Sequence, residues 1–518
     1  MCADRYNVVW LLLFALTSAG CSAEVGSVEL KLVYPTDTGK NPLNSAKVKQ
    51  LRATVYERGR PVASRTFLPS AGVSLEGVDV GGQRQVLVEG LGFLGEIVSW
   101  GISAPFEARS GQQKLFVFFG LVDAFSPPPS VQGLIAPDWP ARYRIFMVQS
   151  RFLHSSGVFK DGRLLVTGGA AAPSPDDPAA IPSGGLKTAD VFDGWAGAFA
   201  NDLPSADCSG GTWCMNAPRA GHCVQTLDKN GFALIVGGEP PDPSWPQAGF
   251  DLSSGEFFAV DQLKHPRTRA ACAGVEGIGA IIAGGADATT GQPTADVEVY
   301  RDGFFSIWPD LLSEARANPM VAVLPGTPPR LVIAGGWKTW GEPSQWQASD
   351  FVDVIDLGSD PPGRDSFRML RPRADHSLVV VGKGSSTNLL VCGGRSDRNT
   401  IEPSCETLDV DTLQSAFLPV EVPRWRHTAS YLPDGSVVVA GGFTSTVPPL
   451  RASAKALVLR LPGSRYEVPM VEPRALHTAS VLPSGMLVLI GGISGYDAQG
   501  QVDFPQFDYE IYVPRKED

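Results

Sequence analysis

The chain has 518 residues with 57 glycines, 43 prolines and 43% hydrophobic residues, a balance too apolar for disorder and too rich in chain-turning residues for a helical protein. Its formal charge is −11 and no cluster of Lys or Arg stands out, which argues against a nucleic-acid backbone as its partner. Amphipathic stretches of helical period are scarce, so the expected class is all-β.

Residues 1–20 read as an export signal. Val8 to Leu16 is apolar but too short to stay as a membrane-spanning helix. Ser18, Ala19 and Gly20 follow and lead into Cys21, an arrangement like a lipobox. It predicts a lipid on Cys21 and a protein held on a bacterial outer membrane or cell surface, with ordinary signal-peptidase cleavage near Cys21 as the alternative. Residues 21–27 are a tether.

From 28 to 125 the runs Val28–Tyr34, Leu51–Tyr56, Arg84–Glu89, Glu96–Ile102 and Lys114–Gly120 read as strands separated by turn residues such as Pro35, Gly59 and Gly81. Their spacing fits a small immunoglobulin-like β-sandwich, without the cysteine and tryptophan markers of antibody domains. Residues 126–141, beginning SPPPSVQGLIAPDWP, form a stiff proline-rich linker.

Between 142 and 518 one unit recurs seven times. Each copy opens on an Arg (151, 219, 267, 316, 373, 424 and 474), runs through a short strand and a tight turn, and ends in an apolar run capped by two glycines. PRALHTASVLPSGMLVLIGG, from Pro473 to Gly492, is the cleanest copy. The first glycines fall at 168, 237, 284, 335, 393, 441 and 491. The apolar run predicts a second strand buried on both faces, and its glycines let the backbone leave a crowded centre. Alternating segments beginning at Thr188, Thr294, Ser349, Cys405 and Phe507 predict third strands. Short outermost strands follow, as in Glu256–Val260, Phe304–Trp308 and Arg465–Met470. The seventh copy lacks a fourth strand, and Tyr143–Val148 is spare. Its expected place is beside Phe507–Val513, which would tie the two ends together and remove an open edge.

These double glycines, their spacing near fifty residues and the strands around them resemble kelch-repeat β-propellers. The resemblance spans residues 142–518 and implies a seven-bladed kelch-type β-propeller behind the sandwich. With Cys21 in place, the chain is similar to an exported bacterial kelch lipoprotein. The resemblance implies a monomer that binds a protein or glycan partner through propeller loops, without enzymatic activity, cofactor or metal, and that touches the membrane through its lipid alone. A carbohydrate-active kelch enzyme, resembling galactose oxidase or a sugar mutarotase, is the alternative. The oxidase chemistry requires a cross-linked Cys–Tyr pair, a second Tyr and two His ligands, and these do not carry over residue by residue. No GxSxG, HExxH or phosphate-cradling glycine loop is present, so no residue is nominated as catalytic.

Three sets of side chains are candidate sites. The repeat arginines, among them Arg151, Arg219, Arg373, Arg424 and Arg474, precede the innermost strands and are expected near one mouth of the channel. There they either bind an anionic ligand or brace the blades. Histidines 154, 222, 376, 427 and 477 share one repeat position, as a metal-binding ring or as seam residues. Trp337, Trp340 and Trp346, in WKTWGEPSQW, together with Trp195, Trp213 and Trp245, are read as exposed loop aromatics suited to a sugar or peptide, or as loop packing. Once Cys2 leaves with the leader and Cys21 is set aside, six cysteines remain, as expected of disulfides in an exported protein. Cys208 and Cys214 close a short loop, Cys392 and Cys405 meet across a hairpin, and Cys223 and Cys272 pair by elimination.

Overall fold

A computed structural model describes residues 25–516 apart from 38, 45, 130–142, 172–184, 201–207, 209–212, 228–230, 240–246, 340–344, 383–386, 462–463 and 498. Cys21 and the leader therefore lie outside the described residues. The chain is all-β, as composition and periodicity required.

Two sheets form first. One places Val25–Val33 between Val73–Asp79 and Gly111–Phe118, the latter pairing in parallel. The other runs Arg60–Phe67, Gln50–Glu57, Gln83–Leu91, Ile97–Ile102, Gly120–Leu121. In Val25–Val33 the even positions Val28 and Leu30 alternate inward, the period of a sheet with one buried face. They meet Leu51, Val55, Val86 and Val88 from the second sheet in one core, with Phe119 beside them. Sequence reading missed Arg60–Phe67 and Val73–Asp79. The first is exposed along nearly its whole length, so no burial pattern marked it.

Each of the seven double-glycine units then contributes its own antiparallel sheet, and the order of strands is the order of the chain. Thr428–Tyr431, Ser436–Ala440, Lys455–Arg460 and Ser464–Pro469 are typical. The second strands are buried on both faces: Val437, Val438, Val439 and Ala440 expose none of their surface. Their neighbours are the second and third strands of the adjoining units, as where Leu331 and Ile333 pack with Ile281, Val297 and Val299.

The double glycine and the arginine are two halves of one junction. Both glycines of each pair have positive φ. A Cβ on the first would collide with the carbonyl oxygen of the next unit's arginine, 2.6 Å away for Gly284 against Arg316 and for Gly393 against Arg424. In six pairs the second glycine donates its N–H to that same oxygen, as Gly394 does to Arg424 at 2.8 Å and Gly442 to Arg474 at 2.7 Å. In the seventh unit the partner is the first unit's arginine: Gly492 donates to the Arg151 carbonyl at 2.9 Å.

The expected pairing of Tyr143–Val148 with Phe507–Val513 is corrected by the strand registers. The outer strand beside Tyr509–Val513 is Ala124–Ser126, with Ala124 opposite Val513 and Ser126 opposite Ile511. Tyr143–Arg144 instead extends the first unit's sheet beyond its short outer strand Ala198–Ala200. The reason is continuity. Gly120–Leu121 ends the upstream sheet beside Ser99–Trp100, and the chain passes directly into the last unit, where Asp123 donates its N–H to Val513 at 2.9 Å. The outer strand of the last unit therefore comes from the start of the segment that leads into the proline-rich stretch. The later segment still touches the last unit through Asp508, which accepts from Met147 N at 2.8 Å and Ser150 Oγ at 2.9 Å.

The cysteines pair as expected: Cys208–Cys214, Cys223–Cys272 and Cys392–Cys405. Cys223 and Cys272 lie on the first strands of adjacent units and cross-link them. Disulfides of this kind fit a protein outside the reducing cytosol.

Candidate binding surfaces

The repeat arginines are buried, and five face carboxylates on the third strand of their own unit. Arg151 meets Asp190 at 2.6 Å, Arg267 meets Glu298 at 2.8 Å, Arg373 meets Glu406 at 2.5 Å and Arg474 meets Glu510 at 2.7 Å, while Arg316 pairs with Asp353. Other N–H groups of these arginines point at backbone carbonyls, as Arg373 Nη1 does to Gly393 and Ser404, while the Nε of Arg267, Arg316 and Arg373 has no hydrogen-bond partner among the described residues. Arg219 and Arg424 have no acid at that register. Arg219 donates to Gly237 O and Gln247 Oε1, and Arg424 to Gly441 O and Lys455 O. Burial pulls the Arg219 guanidinium down to about 10. The ligand-binding expectation for Arg151, Arg219, Arg373, Arg424 and Arg474 is thereby corrected. A guanidinium with at most 8% of its residue's surface exposed, already bonded inside its own sheet, braces the fold.

Arg474→Met tests that role. It strands Glu510, which has no exposed surface and among the described residues otherwise accepts only Val471 N at 2.7 Å. The expected loss is about 3–5 kcal/mol in urea unfolding, with most of it recovered in Arg474→Met/Glu510→Leu. A single variant within measurement error of the parent would show that the pair does not brace the sheet.

The five repeat histidines lie in the seams between units. His222 Nε2 reaches Thr167 Oγ1 at 2.7 Å, His427 reaches Ser377 Oγ at 2.9 Å, and His154 and His477 reach Thr478 and Thr428 at 3.0 Å. In the last three the hydroxyl is the residue after the preceding unit's histidine. His376 departs from this because Pro319 and Met320 stand in those places, and both its ring nitrogens are without a partner. Burial, followed by the neighbouring arginines, holds His222 and His376 down to about 3. Among the described residues no three His, Cys, Asp or Glu side chains gather as a metal-holding group.

The residue two after each arginine adopts a left-handed backbone: Leu153, Gly221, Arg269, Asn318, Asp375, Arg426 and Leu476. Backbone bonds link several of them directly, as from Gly221 N to Leu153 O and from Arg426 N to Asp375 O. Asp375 is the polar node. It accepts from Asn318 Nδ2 at 2.8 Å and Arg395 Nη2 at 2.5 Å, and faces Arg426 at 2.8 Å. Burial pushes its carboxyl up, yet Arg426 and Arg395 outweigh that and hold it below the usual carboxylate range.

Trp337 and Trp346 pack beside this node. They are buried, with ring centroids 5.1 Å apart, and the Arg395 guanidinium sits 5.2 Å from Trp337 and 3.8 Å from Trp425. This corrects their reading as exposed platforms: a ring stacked on a ring and a guanidinium has no face left for a sugar. Trp195 is buried as well, and Trp213 packs on Phe250. Trp340 and Trp245 lie outside the described residues.

Open surface is found where the upstream sheets meet the last unit. A cleft of about 990 Å³ lies between Lys47, Arg52, Glu96 and Asp123, with Phe93 on its rim. Phe93 and Leu94, at the tip between Gln83–Leu91 and Ile97–Ile102, are 83% and 88% exposed. A second cleft of about 500 Å³ shares Arg515 and Lys516 of the C-terminal segment with it. Sequence reading missed both, since their walls come from segments hundreds of residues apart. The one legible signal was the pair of apolar residues in GLGFLGE, a loop where burial was not expected.

No family model matches the chain, and no curated protein matches it.

Proposed function

We propose that this chain is an exported binding protein without enzymatic activity, built as a seven-bladed kelch-type propeller carrying an immunoglobulin-like sandwich and anchored by a lipid on Cys21. The succession of glycine–arginine junctions, with Gly492 bonded to Arg151, supports a ring of seven blades. The disulfides support export. The buried loop tryptophans move the proposed contact surface from the propeller loops to the junction of sandwich and last blade.

The observation that carries the binding role is the exposed pair Phe93–Leu94 at the rim of the larger cleft. Two large apolar side chains held fully in water are stabilised by being covered, and a protein or glycan partner would cover them. The full chain probed on secreted-protein and glycan arrays is expected to select a partner, and Phe93→Ser/Leu94→Ser to weaken that binding at least tenfold, about 1.4 kcal/mol, without lowering the thermal midpoint. No selected partner, or one indifferent to that variant, rejects the surface. Copper-dependent oxidation of galactose-type sugars by the purified protein would reject the non-enzymatic reading.

A further inference from the structure

We propose that the smaller cleft, about 500 Å³, is a binding site for an uncharged saccharide unit. The inference rests on the binding role above and gives one ligand class its own place. The volume falls within the range of small-ligand pockets, which favour junctions between domains.

The floor is apolar and comes from both partners of the junction: Tyr56, Leu87 and Ile102 from the sandwich, and Leu482 from the turn of the last unit. Trp100 closes it and is fixed by donating Nε1–H to the Pro514 carbonyl at 2.9 Å, so the C-terminal wall is set before any ligand arrives. Tyr56 is only half-buried, packed against the core on one side, and presents aromatic surface on the rim. The C–H face of a pyranose fits such a surface, as does the flat face of any amphiphilic ring.

The rim supplies an acceptor. Gln85 uses its Nε2 on Ser103 O at 3.1 Å, and among the described residues its Oε1 has no donor. A sugar hydroxyl is a donor that matches it. Asp434 is withdrawn from the opening: its side chain is 4% exposed, with Oδ1 on Ser436 N and Oγ and Oδ2 turned toward Arg460.

Charge decides between a neutral and an ionic ligand. Every charged side chain of the cleft already faces its opposite: Lys516 lies 3.3 Å from Glu89, Arg515 is paired with Asp123, and Asp434 lies 3.6 Å from Arg460. An anionic or cationic ligand would have to break one of these pairs, whereas a polyol need not. A wholly apolar ligand would leave the Gln85 Oε1 acceptor desolvated and unmatched.

The test titrates the full chain with neutral hexoses, N-acetylhexosamines and their disaccharides, followed by calorimetry and by tryptophan fluorescence with Trp100 as reporter. The expected result is saturable binding of at least one of them. Tyr56→Ala and Gln85→Ala should each weaken it about tenfold or more at an unchanged thermal midpoint, with Tyr56→Phe binding like the parent. Three outcomes overturn the proposal: no saturable sugar, a uronic acid preferred over its neutral counterpart, or an apolar peptide that binds through Tyr56 where sugars do not. The Phe93→Ser/Leu94→Ser variant separates the two ideas. Loss of an array partner there with no sugar bound here leaves the general binding role standing and this site rejected.

Discussion

Gly491→Ala is expected to be among the most damaging single substitutions in the chain. Gly491 has φ +62°, and a Cβ there would sit 2.6 Å from both the Arg151 carbonyl oxygen and His154 Cε1. Alanine in a left-handed conformation costs about 1–2 kcal/mol, and forcing a methyl group into packed surroundings adds about 1–3 kcal/mol, so a total of roughly 2–5 kcal/mol is expected. Neither obstacle can yield cheaply. The carbonyl is backbone and already accepts from Gly492, and the imidazole is held by Thr478. Because this junction joins the seventh unit to the first, the loss should appear as a lower urea midpoint and as faster proteolysis near both ends of the repeat region. Gly500→Ala is the control. Gly500 has φ +79° but nothing within 4 Å of its added Cβ, so only the conformational cost, about 1–2 kcal/mol, remains. Equal losses for the two variants would sink the junction argument.

Mild acid is expected to destabilise the protein steeply. Burial, then neighbouring guanidinium groups, pulls His222, His376 and His427 down to about 3 from an ordinary 6.5, and holds His154 and His477 well below it. The folded chain thus refuses protons that the unfolded chain accepts. Stability is complete above pH 6.5 and falls as the pH drops from there toward 3. Each such histidine removes about 1 kcal/mol over the first pH unit below 6.5 and about 1.4 kcal/mol per unit after that, so the three alone remove about 3 kcal/mol between pH 6.5 and 5.5. At lower pH, Asp375, held down by its guanidinium partners, adds to the loss. Asp508 and Glu472 act oppositely: burial raises both, so they add stability as the pH falls through the carboxylate range. Urea midpoints at pH 7.5, 6.5 and 5.5 measure the slope. His376→Leu offers a separate check, because neither ring nitrogen of His376 has a partner to lose. It should hold its stability at pH 7.5 and reduce the slope by about one proton. A midpoint flat between pH 7.5 and 5.5 would show that the seams admit water.

What was legible in the amino acids, and what was not, follows the reach of each interaction. The apolar runs ending in Gly-Gly announced buried second strands because a strand between two sheets must be apolar on both faces. The cysteine pairs were legible because hairpins and adjacent repeats bring them together by chain order. The arginine–carboxylate pairs were half legible. An acid sits on the third strand 31 to 39 residues after Arg151, Arg267, Arg316, Arg373 and Arg474, and aligning the units on their double glycines would have exposed it. The tryptophans were misread because loop composition says where the chain turns and nothing of what folds back over it. Trp337 is covered by Trp346 from its own hairpin and by Arg395 from the next unit.

By itself the sequence determined the all-β class, the seven repeated units and their strand order, and it suggested the cysteine pairs that the structure then showed. All of these rest on contacts within a unit or between chain neighbours, where the spacing of residues is the constraint. Only the tertiary structure decided that Ala124–Ser126, not Tyr143–Val148, lies beside the last strand, and that two clefts open around Pro514–Lys516. Those features depend on how the upstream sheets seat against a segment more than four hundred residues later. No local period or spacing encodes such a meeting; it emerges when buried faces with no neighbour in the chain find each other.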